Sequence, residues 1–302
     1  MRIPPDIFPF AFLNGAFLPV ERAVVSPLDR GFLMGDGLFE TFHVFRGAPL
    51  DFEPHLGRLD GSCEFFGMTV PDRDRLPGVV RRVIKMNGLE ESGAPEAALR
   101  LTMSRGAHRS GPATILIHVR RLHPGHLSKR EVGVHLHQLP LSGRGDADLV
   151  QHKSSSYVAS ALADVWLRSR PDYKPTDEGL FVSSDLEVRE GASCNVFAIV
   201  GDRLITPPID SGVLPGISRA AVCEMAMGLG YTLEERALPL SELCAADEAF
   251  VTSSTLHVAP IVAVGERTLG SGEPGPRVRA VQGAFQERVL SQVEAWRRAG
   301  AP

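Results

Sequence analysis

A Gly- and Asp-rich stretch, Leu141-Ser142-Gly143-Arg144-Gly145-Asp146-Ala147-Asp148, interrupts the middle of a 302-residue chain. It reads as a linker, because periodic apolar sequence lies on both sides of it. A chain of this length fits two domains or one large one. The break favours two: residues 1–140, an interdomain loop at 141–150, and residues 151–302. Hydrophobic residues make up 43% of the chain, enough for a sizeable core.

Charge narrows the partners. The balance of 32 basic and 36 acidic residues gives −4, which argues against nucleic acid and anionic membrane as main partners. The four cysteines, Cys63, Cys194, Cys223 and Cys244, form no CxxC pair. They read as reduced thiols of a cytoplasmic protein rather than a disulfide frame, and no metal ligand set is expected. Pro4, Pro5, Asp6 and Pro9 follow Arg2 and break any apolar leader. No run is long and apolar enough to span a bilayer.

Along the first half, residues 1–11 read as irregular. Phe12 to Pro19 reads as two short strands around Asn14-Gly15, a strong hairpin signal. Asp29 to Gly37 reads as a loop. It runs into a strand that places Phe39, Thr41, His43 and Phe45 on one face and Glu40, Phe42 and Val44 on the other. A helix opens at Glu53-Pro54, with proline in its first turn. A second helix spans Pro77–Met86, and strands are expected at 97–106, 113–120 and 132–139. The last strand alternates Val132, Val134 and Leu136 against Gly133, His135 and His137. Strands and helices of this kind suggest an α+β domain. In the second half, helices are expected at 156–170, 218–229 and 277–298. Strands are expected at 178–182, within 190–200, at 202–206 and from 248. Val281, Phe285, Val289, Val293 and Trp296 share one face of the last helix.

Three stretches carry chemistry. The first is Gln151-His152-Lys153-Ser154-Ser155-Ser156-Tyr157. Taken alone, a lysine between a linker and a helix is solvated surface. The second is Glu187-Val188-Arg189-Glu190-Gly191-Ala192-Ser193-Cys194-Asn195, and the third is Leu214-Pro215-Gly216-Ile217-Ser218-Arg219. With Gly35-Asp36-Gly37-Leu38-Phe39-Glu40-Thr41 and His55-Leu56-Gly57-Arg58-Leu59 ahead of them, these resemble the fold-type IV pyridoxal-phosphate enzymes, or class IV aminotransferases. The likeness runs from about Asn14 to Ile261. The family includes branched-chain and D-amino-acid aminotransferases, R-selective amine transaminases and aminodeoxychorismate lyase. It implies a two-domain α+β enzyme, with a small N-terminal domain and a larger cofactor-binding domain built on a barrel-like sheet with helices. It also implies a homodimer.

The resemblance assigns roles to residues. Such a site needs an amine to hold the cofactor aldehyde as a Schiff base, an acid facing the pyridine nitrogen, a phosphate anchor and an open face for substrate. Lys153 supplies the amine and then shuttles a proton between substrate Cα and cofactor C4′. Glu190 faces the ring nitrogen, with Glu187 the nearby competitor, and Ser193 and Asn195 brace the loop. Arg58 binds phosphate, which suits a guanidinium fork. Ile217 and Ser218 form a phosphate cup at a helix N-terminus, where amides and dipole favour an anion. Ser254, with Thr255 next, adds donors. Tyr157 either touches the cofactor hydroxyl or packs its helix.

For substrate, D-amino-acid aminotransferases carry a tyrosine where this chain has Phe39, and an Arg-x-His carboxylate trap that is absent here. Arg105, His108 and Arg109 stand in the corresponding loop, as another basic trap or a solvated turn, and the implied dimer lets them act across subunits. The expected reaction is a ping-pong transfer between a branched-chain L- or D-amino acid and a 2-oxo acid. A lyase that eliminates pyruvate from aminodeoxychorismate is the alternative, since Ser104-Arg105-Gly106 is similar to that branch. A non-catalytic cofactor-binding or interaction protein on the same scaffold is the third reading.

Overall fold

Asn14 and Gly15 take φ of 48° and 94°, the left-handed geometry of a type I′ turn, which folds β1 (Phe10–Leu13) back on β2 (Ala16–Pro19). The hairpin belongs to a computed structural model that describes residues 3–91 and 93–299; Arg2 lies outside them. The chain divides into two compact units. One holds the residues up to His123, His152–Ser156 and the residues from Val289 on, and the other holds Pro124–Gln151 and Tyr157–Arg288.

The first unit continues through α1 (Arg30–Met34), β3 (Gly37–Phe45), β4 (Ala48–Pro49), α2 (Phe52–Phe66), α3 (Leu76–Met86), β5 (Ala97–Ser104) and β6 (Thr114–Arg121). Its sheet runs β2-β1-β6-β5-β3-β4. The stretch expected as a loop forms the short α1, because the Asp29 carboxylate caps the Gly31 amide at 2.8 Å. The alternation read in β3 holds: Leu38, Phe42 and Val44 are buried in one core with Leu56 and Leu59 of α2 and Val80, Val83 and Ile84 of α3. Glu40 shares that core-facing side and is 1% exposed, so it requires buried partners.

The second unit contains α4 (Pro124–Leu127), α5 (Lys129–Val132), β7 (Val134–Gln138), α6 (Ala147–Val150), α7 (Val158–Arg168), β8 (Asp177–Val182), β9 (Glu187–Gly191), β10 (Asn195–Val200) and β11 (Arg203–Thr206). It goes on through α8 (Ile217–Met225), β12 (Thr232–Glu235), β13 (Leu238–Pro239), α9 (Leu240–Cys244), β14 (Glu248–Ser253), β15 (His257–Val264) and β16 (Arg267–Thr268), while α10 (Pro276–Ala299) begins in this unit and its residues from Val289 on belong to the first. The sheet order is β12-β11-β10-β14-β15-β7-β8-β9-β13, with β16 on β15. An antiparallel sheet in the first unit and a mixed sheet in the second, each with helices, bear out the α+β class.

The boundary expected near residue 140 lies instead between His123 and Pro124. The strand at β7 pairs in parallel with β15 and β8 and so belongs to the second unit. Its partners lie some forty to more than a hundred positions further on, and local periodicity cannot register such pairing. Val281, Phe285, Val289 and Val293 of α10 are buried, as their spacing predicts. Among the described residues no helix is long and apolar enough to cross a membrane.

Candidate active site

The lysine segment is laid against β3 as a short extra strand. Phe39 N donates to Lys153 O at 2.9 Å, and Ser155 N to Gly37 O at 2.7 Å. Ser154 bridges Leu38. The two glycines of Gly35-Asp36-Gly37 make this approach possible. A Cβ on Gly35, which has φ of 68°, would meet Ser156 Oγ at 2.5 Å, and one on Gly37 would meet Met103 O at 2.8 Å. His152 anchors the segment to α2: its ring lies 4.1 Å from that of Phe65, and its Nδ1 is 3.0 Å from Ser62 Oγ. Half-buried Lys153 thus holds its Nζ 4.6 Å from the centroid of the Phe39 ring. Arg100 Cζ lies over that same ring at 3.5 Å. Two cations on one aromatic are consistent with a place that receives an anion.

The lysines themselves support this placement. The sequence contains four. Lys85 and Lys174 are exposed, and Lys129 is tied to Glu178 at 3.1 Å and to Asp177 O at 3.0 Å.

Arg58 reaches Glu40 with Nε at 2.8 Å and with its second nitrogen at 2.7 Å, while His55 Nδ1 lies 2.7 Å from the same carboxylate. A carboxylate only accepts, so His55 carries its proton on Nδ1. Burial raises the Glu40 pKa, yet Arg58 and His55 outweigh it and hold the carboxyl well below the usual range.

Arg105, expected to trap substrate, is held inside the unit. Its Nε donates to Asp36 at 3.0 Å, and its two terminal nitrogens donate to Gly67 O and Phe66 O at the end of α2. The last carbonyls of a helix attract a guanidinium, and Asp36 supplies the counter-charge. His108 and Arg109 lie exposed in the following turn.

In the second unit, Glu190 is the penultimate residue of β9 and is 4% exposed. Its carboxylate accepts from Arg144 Nε at 2.7 Å and from Leu214 N at 3.0 Å. Asn195 Nδ2 donates to Leu214 O at 2.9 Å, so Asn195 ties the Leu214-Pro215-Gly216 turn to the glutamate loop. That tie fixes Gly216, where an added Cβ would sit 2.0 Å from Asn195 Oδ1. Gly216 caps α8, whose first amides are those of Ile217 and Ser218. Ser218 is 2% exposed, and its hydroxyl is buried without a hydrogen bond in the protein. An orphaned hydroxyl beside helix-end amides suits an anion.

Tyr157 sends its hydroxyl to Ala192 O at 3.4 Å, beside Glu190, with Arg144 over its ring at 5.9 Å. Ser254 lies half-buried in the turn after β14. The Thr255 hydroxyl is 3.0 Å from His126 Nε2, and its carbonyl accepts from Arg130 at 2.6 Å, so Thr255 is bound into its own unit. Glu187, the competitor of Glu190, is half-buried and pairs with Arg189 at 3.5 Å.

The structure adds residues that sequence reasoning missed. Arg144 sat inside a stretch read as linker. Arg100 shares a face of β5 with Thr102, and its alternation with the buried Leu99 and Leu101 was the available signal. His152 adjoins the lysine and touches two phenylalanines. Thr252, opposite Asn195 in the sheet, also carries a buried hydroxyl without a partner.

The family model described as amino-transferase class IV matches residues 37–264. The chain is 29% identical over 300 residues to aminodeoxychorismate lyase of Bacillus subtilis, covering 95% of this chain and 98% of that protein. It is 26% identical over 284 residues to D-alanine aminotransferase of Bacillus licheniformis, covering 92% and 96%. Its fold matches the crystal structure of the branched-chain aminotransferase of the archaeon Thermoproteus uzoniensis with norvaline, at a TM-score of 0.82 and 25% identity, covering 95% and 96% of the two chains.

Proposed function

The chain belongs to the class IV aminotransferase family, whose enzymes use pyridoxal 5'-phosphate, and we propose that it moves an amino group from a branched-chain L- or D-amino acid to a 2-oxo acid. When bound, the cofactor supplies a ring that accepts electrons from the substrate Cα. The donors present fit that group: an amine on Lys153, a buried carboxylate on Glu190, and helix-end amides with an unpartnered hydroxyl at Ser218.

The observation that carries the reading is Lys153 pinned to β3, with its amine over Phe39. In this reading Lys153 would hold the cofactor through its amine, and that amine, once free, would take up and give back the proton of the substrate Cα. Glu190 holds the proton of the ring nitrogen, and Arg144 and the Leu214 amide fix the direction of its oxygens. Ile217, Ser218 and Ser254 receive the phosphate, with Arg58 adding charge while Glu40 orients its fork. Asn195 shapes the cup, Thr255 supports the turn that carries Ser254, and Tyr157 closes the side nearest Glu190. Phe39 gives the substrate an apolar wall, and Arg100 takes a carboxylate.

The same reading makes the protein a homodimer. Val24, Leu28, Phe32, Leu33 and Met34 are each more than half exposed in one short stretch, an apolar surface that suits burial against a second copy. His108 and Arg109 then serve the partner's substrate.

The test is to titrate the cofactor-loaded protein with L-leucine, L-glutamate and D-alanine in turn, without an oxo acid, and follow the cofactor absorbance. Conversion to the pyridoxamine form by one of them names the donor class and its handedness, and no response to any of them overturns the proposal. The Bacillus subtilis relative and the Ser104-Arg105-Gly106 loop favour a second reading, the elimination of pyruvate from aminodeoxychorismate. Turnover of that substrate with no amino acceptor present distinguishes it.

A further inference from the structure

We propose that His135, His137 and Asp177 form a binding site for one divalent transition-metal ion on the sheet of the second unit. The proposal rests on no residue assigned above to amino transfer. His135 and His137 stand two apart on β7, so both rings rise from one face of the strand. Their centroids are 4.0 Å apart. Asp177 opens the neighbouring parallel strand β8, with its Cα paired to that of His135. One donor atom from each residue lies within 4.8 Å of the other two. The sequence alone showed only that the two histidines share a strand face; parallel pairing supplies the carboxylate.

Two of these donors lack the partners that buried polar atoms normally have. His137 and Asp177 are 5% and 4% exposed, and both His137 Nε2 and Asp177 Oδ1 are buried without a hydrogen bond. They face one another at 3.4 Å, too far for a good hydrogen bond. A tetrahedral ion with ligands at about 2.0–2.2 Å holds its donors roughly 3.3 Å apart, which this pair already matches. The half-buried His135 completes the set with a ring nitrogen already within 4.8 Å of the other two donors.

Outer contacts hold two of the ligands. Asp177 Oδ2 accepts from Lys174 N at 2.9 Å, which leaves Oδ1 directed at His137. His135 Nε2 is 2.5 Å from Gly265 O; the carbonyl only accepts, so Nε2 carries the proton and the other ring nitrogen the lone pair. Bonds of this kind orient metal ligands. Two imidazoles with one carboxylate select ions such as Zn²⁺, Co²⁺ or Ni²⁺ over Mg²⁺ or Ca²⁺. A bound ion would staple β7 to β8.

The experiment uses the tag-free, cofactor-loaded protein after chelator treatment, titrated with Co²⁺ and followed by visible absorbance and calorimetry. The expected result is one Co²⁺ per chain, with binding at least tenfold weaker in His135→Ala and in Asp177→Asn. Because His135 is half-buried, His135→Ala keeps the metal-free unfolding temperature, which separates loss of a ligand from loss of the fold. Absence of stoichiometric binding, or equal affinity in both variants, overturns the proposal. Cobalt held by the cysteines gives that second outcome.

Discussion

Arg58 grips Glu40 with two nitrogens, at 2.8 and 2.7 Å, one to each carboxylate oxygen. The pair lies between α2 and β3, with the Glu40 side chain 1% and the Arg58 side chain 9% exposed. The arginine expected to bind phosphate is therefore also the counter-ion of a buried carboxylate, and its loss has two separable consequences.

Removing one member of a buried pair leaves the other charge uncompensated, which costs roughly 3–5 kcal/mol. Arg58→Ala is expected to lose stability on that scale in denaturant unfolding of the cofactor-free protein, and to release cofactor more readily. Glu40→Gln should share the first effect. A loss below about 1 kcal/mol in both variants, the range of an exposed pair, contradicts the buried-pair account.

Ser218→Ala behaves in the opposite way. Its hydroxyl has no hydrogen bond within the protein, so the cofactor-free variant should be as stable as the parent or slightly more so. Cofactor affinity should fall about tenfold, the size of one hydrogen bond to a charged group. Equal cofactor affinity, measured by equilibrium dialysis, removes Ser218 from the phosphate cup.

Gly35→Ala tests the approach of the lysine segment. The substitution forces a side chain into left-handed backbone and against Ser156, a strain of order 1–3 kcal/mol. The expected outcome is lower stability together with reduced cofactor occupancy, because the displaced strand carries Lys153. Full occupancy in the variant detaches the glycine from the site.

Acid should weaken the fold in two steps. Burial, with Arg100 and Arg120 alongside, pushes His118 down to about 4 from 6.5. Between those values the unfolded chain takes up a proton that the folded chain refuses, so stability falls as pH drops, by at most about 3 kcal/mol. Below 4.5 Glu40 adds its own loss, since its folded carboxyl stays ionised where the unfolded one protonates. Calorimetry from pH 7.5 to 4.5 should show a flatter profile for His118→Gln; an unchanged profile assigns the slope elsewhere.

Local signals carried much of this protein into view. The Asn14-Gly15 turn, the alternation of β3, the spacing of α10 and the motifs around Lys153, Glu190 and Gly216 are short-range patterns, and the elements formed where they were read. Partnerships across long sequence distances were not legible. Glu40 looked like one strand residue among others until α2 brought His55 and Arg58 to it. Arg144 passed for linker because its partner is Glu190, 46 positions away. The tie of Arg105 to the end of α2 has no local signature, and β7 was assigned to the first unit because its partners lie far along the chain.

Lys153 is proposed as the cofactor-bearing amine, and it competes for that role with three other lysines of the chain. Reduction of the cofactor-loaded protein with borohydride, followed by proteolysis and mass mapping, locates the amine that carries the phosphopyridoxyl group. The label is expected on the peptide containing Lys153 and is expected to disappear in Lys153→Ala. A label on Lys85, Lys129 or Lys174, or an undiminished yield in Lys153→Ala, would contradict the proposal.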